Sequence, residues 1–264
     1  MKVKFELMDM SEEEPVIQII GLGDSGQILS HYLKTKGIEG VGFNVITGDS
    51  DLNIYLVDSE TLPNYLAEIQ THSDHCRLNY LILINQESSQ VLEVAERKKN
   101  LKSVDLHLSL PAANNDITLA RQNEEAYQFI SGITDLLTGT GIVAVDFADI
   151  IATTAQGGSA LNLYSGSYSG QQRIQKALDH LFVHYESRDS PLLRPKAIVI
   201  NIYSGLDLDL EEFERVNKAF NAYFNDNDVT IHVGSTITKK LKDSIAISAI
   251  FCGIQSDTKK HIND

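Results

Sequence analysis

The chain has 264 residues, 42% of them apolar and 22% charged, with a formal net charge of −14. That suffices for one large or two small cored domains, so disorder is not expected, and a field of that sign opposes non-specific binding to nucleic acid or anionic lipid. A single nucleotide can still be held, because backbone N–H groups supply local positive potential. No apolar run spans a bilayer, Met1–Glu14 is acidic and unlike a signal peptide, and Cys76 and Cys252 lack metal-ligand spacing. The expectation is a cytoplasmic protein with reduced thiols, no nucleic-acid partner and no direct membrane insertion.

In chain order, the short apolar run Val16–Ile20 predicts a buried strand ending at Gly21. Ile28, Leu29, Tyr32 and Leu33 share one helical face, which predicts a helix over Gln27–Lys36 stopped by Gly37. Val41–Ile46 reads as the next strand, a βαβ opening that implies a parallel sheet. Leu62–Gln70 reads as a helix, Asn79–Ile84 as a strand, Val91–Lys99 as a helix, and Val104–Leu110 as a strand stopped by Pro111. Asn115–Thr118 is a polar entry to a long helix over Asn123–Leu137, whose apolar face carries Ala126, Phe129, Ile130, Ile133, Leu136 and Leu137. A Gly/Ser-rich stretch then surrounds a strand at Leu161–Tyr164. Helices at Gln171–His184 and Leu210–Phe224 alternate with strands at Lys196–Tyr203, Val229–Thr236 and Ser244–Cys252, and a polar tail closes the chain.

Three groups of residues are candidates for chemistry. Gly21-Leu-Gly-Asp-Ser-Gly26 lies between a strand and a helix, where glycines let backbone approach a phosphate, and Asp49 lies near the end of the next strand, a little beyond the usual ribose-binding spacing. The same glycines also suit a tight turn with no ligand, and Asp24 opposes an anion there. Asp146 and Asp149 stand three apart at a loop-to-helix turn, spaced to orient a water or a cation; capping by Asp146 of a helix from Phe147 fits the spacing better. Asn123 offers both a donor and an acceptor to a base edge, or serves as an N-cap. His180 and His184 have zinc-pair spacing without a third ligand, so no metal site is expected, and neither a nucleophile elbow nor a Walker-type loop is present.

Asp135-Leu-Leu-Thr and Gly141-Ile-Val-Ala-Val-Asp-Phe-Ala-Asp-Ile resemble the end of the core helix and the synergy loop, Asn-x-Asp-Phe-Ala-Asp-Val, of the FtsZ branch of the tubulin superfamily. The similarity continues through Ser190-Pro-Leu-Leu, Val199-Ile-Asn-Ile-Tyr-Ser-Gly205 and Leu208-Asp-Leu-Glu-Glu-Phe213 to Gly253-Ile254. It implies an α/β fold of the tubulin/FtsZ type. The expected parts are a truncated Rossmann-like parallel-sheet domain over 1–122, a central core helix over 123–140, and a smaller α+β domain with a mixed sheet over 141–264.

The resemblance also implies roles. Gly21, Gly23, Gly26 and Asp49 fall in the family's first two nucleotide loops, and Asn123 stands where guanine is read, with Leu119 in place of the stacking aromatic. Asp146 and Asp149 hold the positions of the two water-orienting acids that reach a neighbouring subunit's nucleotide in trans, whereas Ala144 replaces the family's Asn. The family's cofactors are GTP or GDP, with Mg2+ accompanying GTP. Its glycine-rich phosphate loop is replaced here by Asn85-Gln-Glu-Ser-Ser-Gln90, whose non-glycine residues resist left-handed backbone and whose Glu87 repels a triphosphate. The implied function is a divergent FtsZ-like cytoskeletal protein that acts through longitudinal contacts with itself or with FtsZ-type subunits. It would form, cap or modulate filaments with weak or absent GTP binding. An active polymerising GTPase with a remodelled phosphate site stays open, as does a Rossmann-like binder of another nucleotide. The chain stops shortly after its last predicted strand, so recruitment by the membrane tethers that grip an FtsZ tail is not expected.

Overall fold

The apolar runs of the N-terminal half fold as parallel strands buried on both faces, which is why they read as nearly continuous hydrophobic stretches. The structure is a computed structural model and describes residues 14–44, 50–86, 103–155, 158–187, 195–224 and 228–254. Its strands are β1 (Ile17–Leu22), β2 (Val41–Phe43), β3 (Leu52–Asp58), β4 (Leu78–Gln86), β5 (Leu106–Pro111), β6 (Ser159–Tyr164), β7 (Tyr168–Ser169), β8 (Ala197–Ser204), β9 (Thr230–Ile237) and β10 (Ser244–Ile254). Its helices are α1 (Gly23–Lys36), α2 (Leu62–Ser73), α3 (Asp116–Thr138), α4 (Phe147–Thr154), α5 (Arg173–Glu186) and α6 (Leu210–Tyr223). The strands form one sheet in the order β2-β1-β3-β4-β5-β6-β10-β8-β9, with β7 also on β10. Neighbours from β2 to β6 pair in parallel, and β10 runs antiparallel to β6, β7 and β8.

Alternation along β8 and β10 decides which side chains meet which helices. Ala197, Val199, Ile250 and Cys252 join Leu29 and Leu33 of α1, the apolar face of α3 and Ile150 of α4 in one core. Ile198, Ile200, Ile247 and Ala249 face the other way, against Leu178 and Leu181 of α5 and Val216 and Phe220 of α6. On that second side of the N-terminal half, Leu62 and Ile69 of α2 cover Tyr55, Val57, Leu81 and Leu83. Helices therefore clothe both faces of the sheet.

Four elements differ from the expectation, the least of them the two-residue β7 in a stretch read as a loop. Strand β3 has no counterpart among the predicted elements, although it is buried from Leu52 to Val57. Two of its buried positions, Asn53 and Tyr55, break the apolar pattern, and local hydrogen bonds compensate them: Ser50 Oγ donates to Asn53 Oδ1 at 2.8 Å and Asn53 Nδ2 to Tyr55 Oη at 3.2 Å. Helix α1 begins at Gly23, not Gln27, so Gly21–Gly26 is no open loop. Helix α3 begins at Asp116, not Asn123, because Asn115 caps it: its Oδ1 accepts from Ile117 N and Thr118 N, and the Thr118 hydroxyl accepts back from Asn115 N. The predicted helix Val91–Lys99 lies outside the described residues.

The 23 residues of α3 make a rod about 34 Å long. It starts beside the carboxyl end of β5, where Gln122 Nε2 donates to Pro111 O at 2.7 Å. It ends at β9, where Thr236 Oγ1 donates to Asp135 O at 3.1 Å. Lys36 fastens α1 to it, 3.1 Å from Glu124 and over the rings of Tyr32 and Tyr127.

Candidate functional site

In an open α/β sheet, ligands bind outside the carboxyl ends of the strands. At that end the glycines of Gly21-Leu-Gly-Asp-Ser-Gly26 serve packing. A Cβ on Gly26 would stand 2.2 Å from Leu56 O, and one on Gly21 would stand 2.5 Å from Gly26 O. The first turn of α1 thus lies directly on β1 and β3. Gly23 has a left-handed φ of 64°, and Tyr65 Oη lies 3.1 Å from where its Cβ would be.

The polar groups around this end are tied together by residues absent from the predicted site. Asn44 Oδ1 accepts from Gly21 N at 2.8 Å. Asp58, the last residue of β3, accepts from Ser25 Oγ at 3.1 Å, Glu60 N at 3.0 Å and Asn85 Nδ2 at 2.8 Å. Asn85 Oδ1 in turn accepts from Gln122 Nε2 at 3.0 Å and Ala113 N at 3.4 Å. The one signal in the sequence is that an Asx residue lies within one position of the end of each of β2, β3 and β4. Asn85 also corrects an expectation: it takes the left-handed conformation itself, at φ 57°, as Asn does more readily than other non-glycine residues. Asn123 is no N-cap; it lies half-buried inside α3, one residue after the buried Gln122. Asp49 and Glu87–Gln90 lie outside the described residues.

At the other end of α3, the stretch 139–146 runs along β9. Ser235 Oγ accepts from both Ile142 N and Val143 N at 3.0 Å, Ser235 N donates to Val143 O at 2.9 Å, and Ile237 N donates to Thr140 O at 2.8 Å. Asp146 is the N-cap of α4, its Oδ1 accepting from Asp149 N at 2.7 Å. Asp149 leaves its carboxylate 43% exposed, 3.6 Å from Nδ1 of His232 on β9, a partner that no sequence pattern signalled. Phe147 lies under the Arg77 guanidinium at 5.0 Å, and Arg77 reaches Asp51 at 3.5 Å. Asp135, near the end of α3, is largely buried, which pushes its carboxyl up to about 6.

Asn123 and the C-terminus of α3 are separated by about 22 Å of helix. The two acids and the glycine end therefore cannot meet within one chain. No group of three or more possible metal ligands occurs among the described residues. His180 and His184 bring their rings to 4.2 Å at a tilt of 37°, and burial together with His184 lowers the His180 pKa. No described helix is long and apolar enough to cross a membrane.

The model of the FtsZ family C-terminal domain matches residues 158–255. The cell division protein FtsZ of Coxiella burnetii is 28% identical over 155 residues, which is 59% of this chain and 37% of that protein. The FtsZ of Rickettsia bellii is 31% identical over 128 residues, 48% of this chain and 28% of that one. Over its C-terminal domain this chain is FtsZ-like in sequence, and its fold is that of FtsZ. The FtsZ-like fold extends well beyond the matched domain. An empty FtsZ dimer from M. jannaschii superposes with a TM-score of 0.73 at 16% identity, covering 94% of this chain and 90% of that one. CetZ2 from Haloferax volcanii, in a GTPγS-bound protofilament, gives 0.67 at 13% identity, covering 92% and 94%. In sequence, by contrast, the FtsZ-like chain aligns with well under half the length of these two curated relatives.

Proposed function

We propose that this chain is a divergent cytoskeletal subunit that acts through longitudinal contacts, binds GTP weakly or not at all, and caps or modulates filaments of FtsZ-type subunits. The observation that carries this reading is the contrast between the two ends of α3. At the glycine end, the Asp58 carboxylate sits on the first turn of α1 through Ser25. A phosphate brought to within about 4 Å of it would meet a repulsion of about 4 kcal/mol per unit charge near a protein surface. The described residues there do not fit a triphosphate. At the other end, Asp146 closes a stretch fixed to β9 and Asp149 stands in the first turn of α4 with its side chain 43% exposed. A subunit with a sound acid end and a poor nucleotide end adds to a filament and is not followed by another. The protofilament of the Haloferax protein supports assembly into filaments as the setting.

The test is twofold. Calorimetry with GTP and mass spectrometry of retained nucleotide should find little or no bound guanine nucleotide. Electron microscopy should show shortened or altered FtsZ filaments when the protein is added. Robust GTP-driven filaments of the pure protein would overturn the reading. A second reading, an active polymerising GTPase, draws on Asn123, which is free of any capping role, and on the retained Gly21, Gly23 and Gly26. It requires assembly-dependent phosphate release that Asp149→Ala abolishes.

A further inference from the structure

We propose that the chain carries a built-in plug at the carboxyl ends of its strands: Asn44, Asp58 and Asn85 occupy the hydrogen-bond donors that would otherwise grip a phosphate, and Asp58 is the residue that sets the exclusion. This rests on the reading of a nucleotide-poor end and names its cause.

Three backbone N–H groups at this end of the sheet belong to three different segments, Gly21 next to the end of β1, Glu60 after β3 and Ala113 after β5. Each donates to a side-chain oxygen of the chain itself: Gly21 N to Asn44 Oδ1 at 2.8 Å, Glu60 N to Asp58 Oδ1 at 3.0 Å, and Ala113 N to Asn85 Oδ1 at 3.4 Å. Two side-chain donors, Ser25 Oγ and Asn85 Nδ2, converge on Asp58 Oδ2 at 3.1 and 2.8 Å. Backbone amides together with a hydroxyl and an amide are the donors that a phosphate-binding loop presents to its anion. Here the Asp58 carboxylate takes the anion's part, Asn85 beside it takes a further donor through its own oxygen, and Asn44 separately occupies the Gly21 amide. Both Asn residues hold left-handed backbone, at φ 54° and 57°. The buried Gln122 braces Asn85 from behind through Nε2, at 3.0 Å. An incoming phosphate must break these bonds and also face the Asp58 charge, so two costs exclude it, of which one is electrostatic and removable by a single near-isosteric change.

Asp58→Asn removes the charge and keeps the shape. Calorimetry with GTP, GDP and guanosine on wild type, Asp58→Asn and Asp58→Ser reads the effect. The expected result is a GTP affinity at least about tenfold higher in both variants than in wild type, about 1.4 kcal/mol, with guanosine binding unchanged because it carries no phosphate. Folded variants that gain no GTP affinity over a non-binding wild type overturn the plug and leave the nucleotide-poor reading standing. A wild type that binds GTP at micromolar concentration overturns both. Independently of any variant, the amides of Gly21, Glu60 and Ala113 are expected to be protected from hydrogen exchange in the wild-type protein; exchange at unfolded-chain rates overturns the plug.

Discussion

Asp135→Asn should stabilise the protein at neutral pH and leave it unchanged in acid. Asp135 lies one turn from the C-terminus of α3, where the helix dipole disfavours negative charge, and its backbone carbonyl accepts from Gly139 N and Thr236 Oγ1. Burial pushes its carboxyl from the ordinary 3.8 up to about 6; Glu39 adds to the rise, and the Tyr203 hydroxyl and Lys240 partly offset it. The folded state therefore holds this proton more tightly than the unfolded chain does. Stability from this group is fully present below about pH 4, falls as pH rises towards about 6, and is flat above. At about 1.4 kcal/mol per tenfold change in proton affinity, the gap corresponds to a loss on the order of 3 kcal/mol by pH 7.5. An amide has no charge to bury, so the variant should gain up to about that amount at pH 7.5 and nothing near pH 3.5. Urea unfolding of both proteins across this range gives the difference directly, and contributions from all other titrating groups cancel in it. A gain independent of pH, or no gain at pH 7.5, would refute the reasoning.

Other substitutions probe the two ends and the second core. Gly26→Ala places a methyl 2.2 Å from Leu56 O and should lower stability by about 1–3 kcal/mol in urea unfolding, as overpacking does; a neutral effect would mean α1 does not lie directly on β3. Asp146→Ala removes the cap of α4 and should cost about 1 kcal/mol, whereas Asp149→Ala, at a 43% exposed side chain, should stay within about 0.5 kcal/mol. Equal losses in that pair would contradict the capping role. Arg173 donates to Glu212 through Nε at 2.8 Å and Nη2 at 2.7 Å, and also pairs with Asp207. Arg173→Met leaves the Glu212 carboxylate buried without its cation, so a loss of about 3–5 kcal/mol is expected, largely recovered when Glu212→Gln is added. A double variant no more stable than Arg173→Met would show that packing, not charge, dominates there.

The residues that form helix and strand were legible in the sequence wherever a few neighbouring positions decide the outcome. The run Ala197–Ile202, the apolar face of α3 and the acidic first turn of α6 all act locally, and the structure realises each of them. The Asp146 cap was legible in the same way, since the residue stands directly before a helix that starts at Phe147. Strand β3 was not, because Asn53 and Tyr55 are satisfied by each other and by Ser50, not by an apolar pattern. The joining of Asp58 to Ser25, Asn85 and, through it, Gln122 was decided by tertiary structure alone. These partners lie 33, 27 and 37 residues apart in their successive bonds, and no periodicity encodes such distances. The same holds for Asp135 and for the approach of His232 to Asp149, since burial and electrostatic neighbours exist only once α3 and β9 have closed on the sheet. The sequence by itself determined most of the elements and the family resemblance. Packing determined whether the glycine end stands open to a ligand or is filled by the chain's own side chains, because only packing brings those side chains together.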